Sequence, residues 1–302
     1  MSRPAVLATA RGTRTEAFGP VEWGLLTAVA AMWGSSFVFI DVALDSFRPA
    51  LIALLRILLG AAALALSART RKRVAREDLP RIALLGIVWM AIPLLLFPIA
   101  QDLGIASSTA GMINGAVPLF AGLFASILLR RAPGGRQALG LLVGFVGVVL
   151  IFLPAAGVPS TLLGAALALA ATVLYGLAAN IAVPLQQRYG APAVVFRAQI
   201  VAAVALLPFG LLGLPESEFS WPAMLSVLAL GVFGTGLAFI AMSVLVGRAG
   251  ATRGAVAIYF IPVVALVLGV TLLDESVPSV ALAGIALVLV GAWLTSRQES
   301  RP

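Results

Sequence analysis

The chain has no cysteine, no histidine and a single lysine, Lys72, among its 302 residues. Without thiols there is no disulfide, thiolate metal site or thiol nucleophile, and without imidazole there is no histidine general base or ligand. Carboxylates, hydroxyls, amides and arginines remain, and no pair of carboxylates stands out for acid–base work. A membrane enzyme acting on lipid would be poorly supplied, and no metal or cofactor is expected. Charge is scarce too: 11% of the chain is Asp, Glu, Lys or Arg, against 61% hydrophobic residues. Soluble domains carry roughly a quarter charged residues, so this is not the composition of one.

Long apolar runs fill the space those absences leave. Ten stretches approach the ~20 residues that cross a hydrocarbon core. They cover residues 22–43, 49–68, 82–101, 109–129, 137–153, 162–183, 193–214, 222–246, 254–273 and 279–295. The chain therefore reads as an all-α polytopic membrane protein. Residues 1–20 are polar, with Arg3, Arg11 and Arg14 but no apolar core of a signal peptide, and read as a cytosolic tail. Residues 297–302 form a second tail.

Basic residues gather in alternate connections. Seventeen lie in the two tails and in the even-numbered connections, at Arg69–Arg81, Arg130–Arg136, Arg188 and Arg248–Arg253. The opposite connections hold only Arg48, with Asp45, Asp102, Glu216, Glu218, Asp274 and Glu275. By the positive-inside rule both termini are cytosolic, in what is expected to be a plasma (inner) membrane. The net charge of +8 is then a topology signal and not a nucleic-acid surface.

The chain also repeats. A shift of 144 residues superposes Pro118 on Pro262, Gly140 on Gly284 and Gly147 on Gly291. The halves, 21–153 and 161–296, would each hold five helices, an odd number, so the second enters the membrane upside down. The fourth-to-fifth connection carries Arg130, Arg131 and Arg136, whereas its counterpart carries Asp274 and Glu275. Inverted repeats of this kind place a substrate site near the midplane where the halves meet.

Candidate residues are those that need a reason to sit at mid-depth. Trp33, Ser36, Asn114, Tyr175 and Tyr259 form the expected substrate site, with aromatic faces for an apolar or cationic group and polar groups for orientation. Asn114 and Tyr259 each precede one of the matching prolines. The competing reading of Asn114, Asn180 and Gln199 is interhelical hydrogen bonding. Trp33, Trp89 and Tyr175 also fit an interfacial belt by residue type, although Trp33 and Tyr175 lie too deep for one. Arg56 and Arg197 each stand inside an apolar run, where an arginine must snorkel, pair or face water. They are read, with Asn180, as gating or structural residues. The glycines at 140, 144, 147, 284 and 291 suit close helix packing within or between protomers, the latter a homodimer.

These features together resemble the drug/metabolite transporter superfamily, in particular its EamA-type exporters. The resemblance rests on Trp33-Gly34-Ser35-Ser36-Phe37, the Pro49-x6-Arg56 opening of the second span, and Leu273-Asp274-Glu275 followed by Gly284 and Gly291. It extends from about Trp23 to Thr295. Arg130-Arg131 depart from the acidic residue usual after the fourth span. The resemblance implies a ten-helix bundle whose cavity is lined mainly by the first, third, fourth, sixth, eighth and ninth spans. It also implies export of amino acids, related metabolites or drugs; relatives carry nucleotide sugars or sugar phosphates. Expected partners are thus a small-molecule substrate and the lipid bilayer. Uptake or exchange of an anionic or sugar-linked metabolite is the alternative, with a membrane enzyme or non-transporting subunit more remote.

Overall fold

The computed structural model describes residues 19–128, 130, 134–249 and 256–296, so most of both tails and two of the basic connections lie outside it. Among the described residues every regular element is helical. Seven helices are long and apolar enough to cross a membrane: α1 (Pro20–Leu44), α3 (Arg76–Asp102), α4 (Ser107–Leu128), α5 (Gly135–Gly157), α6 (Pro159–Tyr189), α7 (Ala191–Gly213) and α8 (Trp221–Val246). Three shorter apolar helices join them: α2 (Pro49–Ala65), α9 (Val256–Leu272) and α10 (Ser279–Ser296). Large apolar side chains such as Leu142, Val204 and Leu212 face outward. That surface belongs in hydrocarbon, not in water.

Several helices are interrupted where the sequence weakens the backbone ladder. α1 breaks at Ser35, where the hydroxyls of Ser35 and Ser36 both donate to the Met32 carbonyl. Such back-bonding bends helices. α4 breaks after Asn114, because Pro118 has no N–H to offer the Asn114 carbonyl four residues earlier. α3 and α8 each loosen into a π-helical segment, Gly86–Ala91 and Leu230–Leu237. By contrast α6 runs unbroken through Pro184 to Tyr189, past the expected end at Val183.

Three of the antiparallel helix pairs join the same-numbered helix of the two halves. Gly210 and Gly213 of α7 sit on Leu54 and Leu51 of α2. Gly111 and Gly115 of α4 sit on Ala265 and Pro262 of α9. Gly147 and Gly144 of α5 face Gly284 and Gly291 of α10. In the last pair a Cβ on Gly147 would lie 2.5 Å from the Gly284 carbonyl oxygen, and one on Gly291 would lie 2.5 Å from the Gly140 carbonyl oxygen. Only hydrogen fits there, so these glycines are spent on contact within the chain.

Besides a small apolar cluster of Leu26, Val29, Leu245 and Ala257, the helices enclose two large ones. One draws on every helix but α7; the other lies among α2, α3, α6 and α7. A cavity opens between them.

Candidate functional site

The cavity has a volume of about 250 Å³. It takes its walls from α1, α3, α4, α6, α8 and α9, with one residue, Arg56, from α2. Two aromatic groups stand among the apolar wall residues. Phe239 meets the rings of Trp33 and Trp89 edge-on, with centroids 5.3 and 4.8 Å away. Phe97 meets Phe37 edge-on at 5.3 Å and stacks on Tyr175 at 6.0 Å. Edge-to-face contacts of this kind hold aromatic walls in place, because each ring's positive edge meets its neighbour's negative face.

The polar wall is built from the helix interruptions. In the π-helical segment of α8, Gly234 and Thr235 present carbonyls sideways. The Trp33 indole N–H donates to the Gly234 carbonyl at 3.0 Å, and Gln199 Nε2 donates to the Thr235 carbonyl at 2.7 Å. The Thr235 hydroxyl donates to the Leu230 carbonyl at 2.8 Å and accepts from Arg56 Nε at 2.7 Å. On the opposite flank the Ser36 hydroxyl donates to the Met32 carbonyl and accepts a longer bond from Arg56 Nη2, at 3.5 Å. Each hydroxyl thus gives its proton to the backbone and turns a lone pair to the guanidinium.

Arg56 is only 5% exposed. Among the described residues no carboxylate pairs with it, and Nη1 has no protein partner. Asn114 is 7% exposed, and its Oδ1 accepts no hydrogen bond. Both residues line the cavity.

Of the five residues expected at a substrate site, Trp33, Ser36, Asn114 and Tyr175 share this cavity. Tyr259 does not join them. Its hydroxyl donates to the Ala292 carbonyl of α10 at 3.0 Å, and Ile258 and Ile261 reach the cavity from α9 instead. Asn180 also stays out of the wall: its amide donates to the carbonyls of Ala121 and Gly176, tying α6 to α4. Arg197 is far from the cavity chemistry, donating to the carbonyls of Thr70, Ala193 and Lys72 at 2.9 Å each. Trp89 and Phe239 were missed as wall residues. In helices apolar on every side, nothing in their spacing marks the inward face.

The two ends of the bundle are tied differently. Arg248, just past α8, pairs with Glu22 of α1 at 2.6 Å. Asp78, before the apolar part of α3, accepts from Arg188 Nη1 at 2.8 Å, Arg81 Nη1 at 3.0 Å and the Tyr189 hydroxyl at 2.6 Å. At the other end Glu275 accepts from the backbone N–H groups of Ser107 and Ser108, at 2.6 and 2.9 Å. It satisfies two of the free donors at the start of α4, where the helix dipole favours a carboxylate.

The sequence matches the EamA-like transporter family twice, over residues 22–153 and 162–297. An uncharacterized transporter of Archaeoglobus fulgidus is 27% identical, the alignment covering 92% of this chain and 99% of the relative. A protein of Streptantibioticus cattleyicolor named a probable terminal-alkyne amino-acid exporter is 30% identical, over 91% and 93%. A solved structure titled "Crystal structure of protein" superposes with a TM-score of 0.62 at 20% identity, covering 90% of this chain and 95% of that one. That likeness concerns the fold alone. With two matches that together span nearly the whole chain, the protein belongs to the EamA-like transporter family and is a transporter, not an enzyme.

Proposed function

We propose that this transporter exports a small metabolite, an amino acid or a related compound, by alternating access about the central cavity. The observation that carries the proposal is the cavity itself: an aromatic wall with a few buried polar groups, at the place where the two family matches meet. The amino-acid exporter among the relatives supports the substrate class. Ten crossings in two inverted five-helix repeats, 21–153 and 161–296, account for the antiparallel packing of α2 on α7, α4 on α9 and α5 on α10. Both termini, with the tails 1–20 and 297–302, are then cytosolic in an inner membrane, in line with the seventeen basic residues on that side.

On that orientation the cavity faces the cytosol. Gln186, Ser243 and Val246 lie on its wall toward the ends of α6 and α8 that lead to Arg188 and Arg248. The opposite end is held shut in part by Glu275 on α4. Such a state is one that would load substrate from inside. Arg56 on the wall favours a second reading, uptake or exchange of an anionic metabolite.

The test compares metabolites outside cells with and without overexpression. Accumulation of a compound supports export, and its depletion supports uptake. Reporter fusions at Arg76 and Glu216 are expected on opposite sides of the membrane; identical sidedness would overturn the inverted topology.

A further inference from the structure

Arg56 is the only charged side chain on the cavity wall among the described residues. A guanidinium stays ionised in proteins, and burying one without a counter-charge is costly. Its two protein bonds go to hydroxyl oxygens, which offer dipoles and no net charge. Nη1 has no hydrogen-bond partner among the described residues. The arginine is also held in place: Thr235 fixes Nε through a hydroxyl that is itself anchored to Leu230, in a turn stabilised by Trp33 and Gln199. A cation held this firmly and left unneutralised is prepared for an anion that arrives from outside the protein. A planar carboxylate matches its planar fork. Asn114 lines the same cavity, and its buried Oδ1 accepts no hydrogen bond. A substrate that brings one anion and one N–H donor would satisfy both.

We propose that Arg56 is the receptor for the single carboxylate of an apolar amino acid, with Asn114 Oδ1 accepting from its ammonium and the Trp33–Phe239–Trp89 wall taking its side chain. The assignment rests on the export reading above and narrows it to a zwitterion with an uncharged side chain. A second carboxylate would find no further cation on this wall, and a cationic side chain would find no carboxylate.

The experiment uses purified full-length protein in liposomes loaded with L-phenylalanine, L-phenylalanine methyl ester or phenethylamine, in a HEPES buffer free of chloride and carboxylates, with the passive leak of protein-free liposomes subtracted. Wild-type protein is expected to release the acid and to discriminate against the ester and the amine, which lack the carboxylate. This comparison requires no variant to fold. Arg56→Gln is expected to raise the apparent KM for the acid roughly tenfold or more, the scale of one lost charged hydrogen bond, with Arg56→Lys in between. Asn114→Ala should weaken the acid and leave 3-phenylpropanoate, which has the carboxylate and ring but no N–H donor and is added as a competitor, unaffected. Release of ester or amine at the rate of the acid, or an unchanged KM in a folded Arg56→Gln protein, would overturn the carboxylate receptor and leave the transporter reading standing. Release of none of the three would overturn both this assignment and the amino-acid reading.

Discussion

Arg56 and Arg197 begin alike. Each stands a turn or two beyond a proline that opens its helix, Pro49 in α2 and Pro192 in α7, and α2 packs antiparallel on α7. Their surroundings then diverge. Arg197 spends its guanidinium on three backbone carbonyls and staples the Thr70–Lys72 connection to α7. Arg56 reaches inward, gains two hydroxyls and leaves Nη1 without a partner among the described residues. One arginine repairs the backbone; the other is held in reserve by it. Residue type and position along a helix do not decide which role an arginine takes. The acceptors within reach of its head group do.

Replacing each arginine should therefore damage a different property. The largest effect on stability is expected for Arg197→Ala, which leaves three carbonyls without their charged donor. A loss of about 2–4 kcal/mol, read as a lower melting temperature in detergent, should accompany near-normal transport per folded molecule. Equal losses of stability in Arg197→Ala and Arg56→Gln would erase the contrast. Arg56→Gln should shift melting less, because relief of a buried charge offsets its two lost bonds, while transport falls roughly tenfold. Thr235→Val keeps the shape of α8 but removes the acceptor for Nε, and should raise the apparent KM by roughly threefold to tenfold. If Thr235→Val were silent, Arg56 would be held by something other than that hydroxyl. The smallest effect is expected for Tyr259→Phe. It removes one hydrogen bond to Ala292, costs about 1 kcal/mol in stability and leaves transport kinetics unchanged.

How far the sequence foretold this arrangement depends on the kind of signal each residue gives. Apolar length and alternating basic connections mark the helices, since both follow from the solvent each segment meets. Trp33, Ser36, Asn114 and Tyr175 were legible because a polar or large aromatic group at mid-depth needs a partner or a space. Tyr259 satisfies the same criterion by bonding Ala292, and depth alone cannot tell those outcomes apart. α9 is apolar all round, so no periodicity assigns Tyr259 to one face and Ile258 to the other. The π-helical segments in α3 and α8 left no legible trace either. Gly231, Gly234 and Gly236 signal close packing, which they also provide, and the sideways carbonyls follow from tertiary contact with α2. α6 also runs beyond its expected end at Val183, since a proline that elsewhere ends or kinks a helix, Pro184, is tolerated inside it.

On the alternating-access reading proposed above, the glycine seam between α5 and α10 gives the bundle a fulcrum. Backbone lies against backbone there, and neither helix lines the cavity. Two surfaces in such contact cannot slide by a side chain's width without collision, but they can roll through a small angle. Displacement is then least at the seam and grows with the length of the arm that leads away from it. A rotation too small to disturb Gly147 against Gly284 is magnified at the far walls, where Trp33, Arg56 and Phe239 stand. On that reading the glycine seam and the cavity wall are the two ends of one lever.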